Sequence, residues 1–173
     1  MTVIGNAVYV DGHRAATPKS LDETFETLRS APGGFAWSGL YRPDATELDV
    51  VAREFDLHDL AVEDAVRGHQ RAKIDRYGDH RFLVLRPARY LDAEERVEFG
   101  EIHLFVGDDF VIAVRHAESP DIARVRARLE RDPALLARGP LGVCYAILDQ
   151  VVDEYEPVVA GLENDIDEIE DQL

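Results

Sequence analysis

The chain of 173 residues has one cysteine, one methionine and four serines, and nothing basic follows Arg138. A single thiol excludes a disulfide framework and a multi-cysteine zinc site. No G-x-S-x-G and no glycine-rich phosphate loop occurs, so the common signatures of acyl and phosphoryl transfer are missing. No uncharged apolar run reaches the roughly 18 residues of a membrane span. The first residues, MTVIGNAVYVDGHRAA, carry neither a basic leader nor a long apolar stretch. A net charge of −16 argues against nucleic acid and against a bare anionic membrane, since both are polyanions. The expectation is a soluble domain in a reducing cytosol, long enough for one real core.

What is present is an alternation of strand and helix signals. Residues 3–10 alternate and are β-branched, with Asp11-Gly12 as a turn. Ser20-Leu21-Asp22-Glu23 is a capping box opening a helix to about Arg29. Pro32-Gly33-Gly34 breaks it, and Phe35–Leu40 is a strand carrying Trp37. Asp44 with Glu47 caps a helix through Phe55, and Asp56 is expected to cap another to Gly68. Strands are expected at 81–86, 96–106 and 110–115, the last two pairing antiparallel across Gly107-Asp108-Asp109. Ser119-Pro120 reads as N-cap and first helical residue of an arginine-rich helix to Arg131. The fold class is α/β, a three-layer αβα sandwich around a mixed, largely antiparallel sheet. It spans residues 1–138 and is followed by the start of a long stalk helix, 139–173.

That last segment is the most informative. It holds ten acids and no Lys or Arg, so −10 of the −16 charge sits there. Apolar residues recur from Leu141 through Tyr145, Leu148 and Val152 to Ile169 and Leu173 at spacings alternating between four and three. This is a heptad seam, roughly 50 Å long at 1.5 Å per residue. Pro157 should kink it. The seam is in register at Leu173, where it reads as a truncated helix; such a helix either lies on its own domain or leaves it to pack on others. Asp149, Asp153 and Glu156 share one face, and like charges at this spacing destabilise a helix. Basic residues from the Arg124–Arg131 helix, or divalent cations, would relieve them; hard oxygen donors favour Mg2+ or Ca2+ over zinc. A second acidic set is Asp56, Asp59, Glu63 and Asp64.

Two stretches carry a family resemblance. LHDLAVEDAVRGHQRAKIDRYGDHRFLVLR, with Val62-Glu63-Asp64-Ala65, His69-Gln70-Arg71-Ala72-Lys73, Tyr77 and Phe82–Leu85, resembles the cytoplasmic domain of the CorA family of magnesium channels. CYAILDQVVDEYEPVVAGLENDIDEIEDQL is similar to the start of the CorA stalk helix. Together they run from about Phe35 to Leu173. The resemblance implies a protomer of a homopentamer on the cytoplasmic side of the cell membrane, joined to the membrane only through transmembrane helices absent from this chain. It implies regulatory Mg2+ between protomers, with Glu63, Asp64 and Asp149 at the metal sites; Asp153 matches in sequence but is not taken as a ligand. The pore signature Gly-Met-Asn is absent, since Met1 is the only methionine, so the chain cannot itself conduct ions. Co2+, Ni2+ and, through a related zinc-transporting branch, Zn2+ remain alternative cations. An acidic module binding a basic partner is the rival from another class. Catalysis is not expected: Cys144 reads as a packed residue.

Overall fold

The computed structural model describes residues 3–171. The chain begins with β1 (Val3–Val10) and β2 (His13–Ala16), then α1 (Leu21–Arg29), β3 (Phe35–Tyr41), α2 (Ala45–Glu54) and α3 (Asp59–Arg67). β4 (Lys73–Tyr77) and β5 (His80–Leu85) form a hairpin, as do β6 (Ala88–Leu91) and β7 (Arg96–Phe99). β8 (Ile102–Val106) and β9 (Phe110–Arg115) follow, then α4 (Ile122–Leu129), α5 (Pro133–Leu136), α6 (Pro140–Asp153) and α7 (Tyr155–Asp171).

Seven strands make one sheet in the order β2-β1-β3-β9-β8-β5-β4. The β3–β9 pair is parallel and the other neighbours are antiparallel, so the sheet is mixed and largely antiparallel as expected. Both faces are covered. Along β9, Phe110, Ile112 and Val114 point into the cluster under α1–α3, while Val111 and Ala113 point into the cluster under α4–α6. A central strand buried on two faces reads as a continuous apolar run, which is why FVIAV needs no polar alternation. The result is a three-layer αβα sandwich with a long C-terminal helix, the expected class.

Several local expectations change. Asp56 is not an N-cap: it takes a left-handed backbone (φ 49°), and His58 caps α3 by accepting from the Leu60 N–H at 3.2 Å. Ser119 is not the cap of α4; Asp121 is, accepting from Ala123 N–H at 2.9 Å. The expected strand 96–106 is two strands in different sheets, divided at Gly100. A Cβ there would lie 2.2 Å from that of Ala117, so only glycine lets the chain pass from the small hairpin into the main sheet. β2, β4 and β6 were not expected. β2 and β4 are the sheet's two edges, and their exposed or charged side chains lack the apolar alternation that marks a strand.

The C-terminal helix is interrupted at Glu154, and Pro157 falls in the first turn of α7, where no intrahelical N–H bond is lost. This is the expected kink. α6 lies on the sheet through Val143, Ala146, Ile147 and Val151. The heptad seam is a different stripe. Leu141, Tyr145, Val152, Val159, Ile166 and Ile169 are 53–62% exposed. Leu173 lies outside the described residues. α7 is held mainly by the small hairpin: Tyr90 packs on Gly161 and donates to Asp165 Oδ1 at 2.5 Å.

Candidate divalent-cation site

α3 turns Ala61, Val62 and Ala65 inward, which leaves Glu63 and Asp64 on its outer side. Glu63 pairs with Arg67 one turn on, at 2.5 Å. Asp64 Oδ2 accepts from Lys73 Nζ at 2.7 Å, and the same ammonium reaches Asp75 at 2.7 Å. Hydrogen bonds from Lys73 to Asp64 and Asp75 hold its ammonium well above the usual lysine value. One cation therefore already bridges two carboxylates here, and both carboxylates are partly open to water.

Behind this helix lies a group that reading the sequence missed. Glu101, 7% exposed, accepts from the backbone N–H of His69 at 2.5 Å and of Gln70 at 2.9 Å. Arg86 stands 3.5 Å away and also donates to the Gln70 carbonyl. His103 Nε2 is 3.1 Å from the same carboxylate. Burial pushes the Glu101 carboxyl up, but the two amides and His103 outweigh it, leaving it below the usual value. Burial pushes the His103 imidazole down, against the pull of Glu101. This knot fastens the segment leaving α3 and so fixes where Asp64 and Lys73 meet. The signal was a lone acid opening an otherwise apolar strand, EIHLFV, after a glycine.

Asp149 lies in the other helical layer, on α6. Arg128 of α4 donates to it at 3.2 Å and to the Ala146 carbonyl. Of the three expected ligands, the fold sets Glu63 and Asp64 side by side and Asp149 apart from them. Among the described residues no group of three or more His, Cys, Asp or Glu gathers around one point. The donors are carboxylate oxygens, which suit Mg2+ and similar hard cations better than thiophilic metals. Asp153 and the acids of α7 other than Asp165 make no ion pair or side-chain hydrogen bond among the described residues. Cys144 is buried, and burial raises its thiol, as befits a packed residue.

A family model described as "CorA-like Mg2+ transporter protein" matches residues 32–173. The chain belongs to the CorA-like Mg2+ transporter family. It is 38% identical over 135 residues to the Bacillus subtilis "Putative metal ion transporter YfjQ", covering 78% of this chain and 41% of that protein. It is 23% identical over 145 residues to the "Cobalt/magnesium transport protein CorA" of Thermotoga maritima, covering 83% of this chain and 41% of that protein. The CorA-like chain thus spans about two fifths of each. Its fold is shared with the full-length CmaX protein (TM-score 0.77, 16% identity, 99% of this chain and 51% of that one). It is shared also with the soluble domain of CorA from Methanocaldococcus jannaschii (TM-score 0.66, 14% identity, 100% and 66%). The family is one of transporters and not of enzymes. Among the described residues no helix is long and apolar enough to cross a membrane.

Proposed function

We propose that this CorA-like domain senses divalent cations for a membrane transporter, on its cytoplasmic side, and that Mg2+ shared between identical copies is the regulatory ligand. The observation that carries the reading is the outgoing helix. From residue 155 to 171 it has no base, its acids lack ion pairs among the described residues, and its apolar seam faces outward. A helix with both features is poorly suited to isolation, because like charges repel and the apolar stripe stays wet. Glu63 and Asp64 on one protomer and Asp149 on a neighbour supply carboxylates that a hydrated Mg2+ can screen. Mg2+ keeps several waters and takes few direct carboxylates, which suits weak sites responsive to millimolar changes. In a homopentamer, loss of the ion would let the acidic surfaces move apart. Co2+, Ni2+ and Zn2+ compete for the same role as alternatives.

Thermal melting tests it. A cation at ten times its Kd stabilises the folded state by about 1.4 kcal/mol, raising Tm by about 3–5 °C for a chain of this size. Monovalent salt at equal ionic strength should do much less. Asp64→Ala and Asp149→Ala should each blunt the Mg2+-specific gain while leaving the circular dichroism unchanged. Equal stabilisation by NaCl and MgCl2 would reduce the acids to screened surface charge and end the sensing reading for this chain.

A further inference from the structure

A second feature lies away from α3, beneath α4, where β1 begins and β3 and β9 end. A cavity of about 170 Å³ opens there, with Arg126, Arg115, Gly5 and Gly39 in its wall and Asp121 and Ala123 at its exposed rim. Arg126 is 9% exposed, lies over the Trp37 ring with its guanidinium carbon 4.4 Å from the centroid, and makes no ion pair among the described residues. Its Nη2 donates to the carbonyls of Trp37 at 3.0 Å and Gly5 at 3.4 Å; its Nη1 and Nε find no acceptor among the described residues. Two carbonyls, the Trp37 ring and the nearby Glu130 charge offset part of the cost of burying it, and its unbonded Nη1 and Nε are what an anion in the cavity would meet. Burial accordingly lowers its pKa, although a guanidinium stays charged.

Arg115 adds a second positive group. Its Nη1 donates to the carbonyls of Glu118 and Pro120, each at 3.1 Å, while its buried Nε has no hydrogen-bond partner among the described residues. Gly5 and Gly39 are register partners on β1 and β3, so neither adds a side chain here, and the Ile4 side chain borders the space beside Gly39. The position is also apt. β3 and β9 run parallel and end here, and α4 begins here, although Asp121 already accepts from the N–H groups of Ala123, Arg124 and Val125. The carboxyl end of parallel strands under a helix N-terminus favours anions through the direction of the helix dipole. Three acids oppose this: Asp121, whose carboxylate is occupied in capping α4, Glu118, which lies in the field of Arg115, and Glu130, which lies in that of Arg126.

We propose that this cavity binds a phosphate-type oxyanion, held by Arg126 and Arg115. The proposal does not rest on the divalent-cation reading, which concerns α3 and α6. In a chain of net charge −16, saturable binding of an anion is not a diffuse surface effect.

The test is calorimetric titration of the chain with sodium phosphate at constant ionic strength, followed by titration with ATP. One saturable site is expected. Arg115→Gln should weaken it at least about tenfold, the size of one charge-assisted hydrogen bond. Ala123→Glu should weaken it similarly by placing an acid at the rim, and since an acid in the first turn favours the helix, misfolding would not explain the loss. Asp121→Asn keeps a capping residue, removes one opposing charge and should tighten binding. Tighter binding of ATP than of phosphate identifies a nucleotide's phosphates as the ligand; equal or weaker binding identifies free phosphate. Absence of saturable heat with both, or unchanged affinity in Arg115→Gln and Ala123→Glu, overturns the proposal.

Discussion

Helices α3 and α7 are both acid-bearing, and they treat their acids in opposite ways. On α3 two of the three acids are closed within the chain: Glu63 meets Arg67, and Asp64 shares Lys73 with Asp75. Its inner face is fully seated, with Ala65 at 0% exposure. On α7 only Asp165 has a partner among the described residues, the Tyr90 hydroxyl, and Val158 and Gly161 alone are buried. α6 lies between the two cases, with one stripe in the core and the next stripe bare. The contrast teaches that burial and heptad spacing are separate properties. α6 enters its own core through Val143, Ala146, Ile147 and Val151, and keeps its regular seam for another surface.

The sharpest way to break this comparison is to cut both stripes. Ile147→Ala should cost about 2–5 kcal/mol in denaturant unfolding, the price of a core cavity. Val159→Ala, one stripe over, should change monomer stability by less than about 0.5 kcal/mol. Similar costs for the two would mean that the seam is covered within the chain.

Next in size is Glu101→Ala, which should lose about 1–3 kcal/mol by orphaning the amides of His69 and Gln70 and freeing Arg86. Glu101→Gln should lose less, because an amide oxygen can still accept. If Glu101→Ala melts like the parent, the knot does not hold the α3 exit.

Acid sharpens the same point more gently. Burial holds the folded His103 imidazole below its usual value, so the unfolded chain binds its proton first. Stability should therefore fall as pH drops below about 6.5, the unperturbed histidine value. The depressed Glu101 carboxyl adds a further loss as pH falls through the ordinary carboxylate range. His116 is also lowered by burial and contributes in the same direction. Replacing His103 by Phe should flatten the upper part of this Tm–pH profile; an unchanged slope would assign it elsewhere.

The smallest effect is expected at the ion pairs of the α3 surface. Lys73→Ala should cost at most about 1 kcal/mol, since the group is partly exposed and water screens it. It should strengthen the Mg2+-specific rise in Tm by freeing Asp64 and Asp75. A weaker rise would mean that Lys73 positions the acids and does not compete with the ion.

Much of the sandwich was legible in the sequence. Central strands such as FVIAVR announce themselves by apolar, β-branched-rich runs, and the N-caps Ser20 and Asp44 set helix starts that the structure keeps, with the full capping box closed at Asp44. The edge strands were not legible, because HRAA and KIDRY carry polar side chains that also suit loops. Two caps shifted, from Asp56, which takes a left-handed backbone, to His58 and from Ser119 to Asp121, a choice of backbone that residue type at those positions does not fix. At the candidate site the residue types and their adjacency on α3 could be read directly. That Lys73 and Arg128 answer them, and that Glu101 anchors the exit from α3, could not, since those partners meet through sheet pairing and layer packing.

Composition and period alone determined the class of fold, the accumulation of negative charge after Arg138 and the heptad stripe of the last helix. These are properties of local order along a chain, where spacing maps onto one face. Only the tertiary structure decided which stripe of α6 enters the core and which acids find bases. It alone set a guanidinium from an arginine-rich helix against the Trp37 ring, bonded to two backbone carbonyls and in no ion pair among the described residues. Those outcomes depend on contacts between residues as far apart as Trp37 and Arg126, and the geometry that joins them exists only once the sheet has formed.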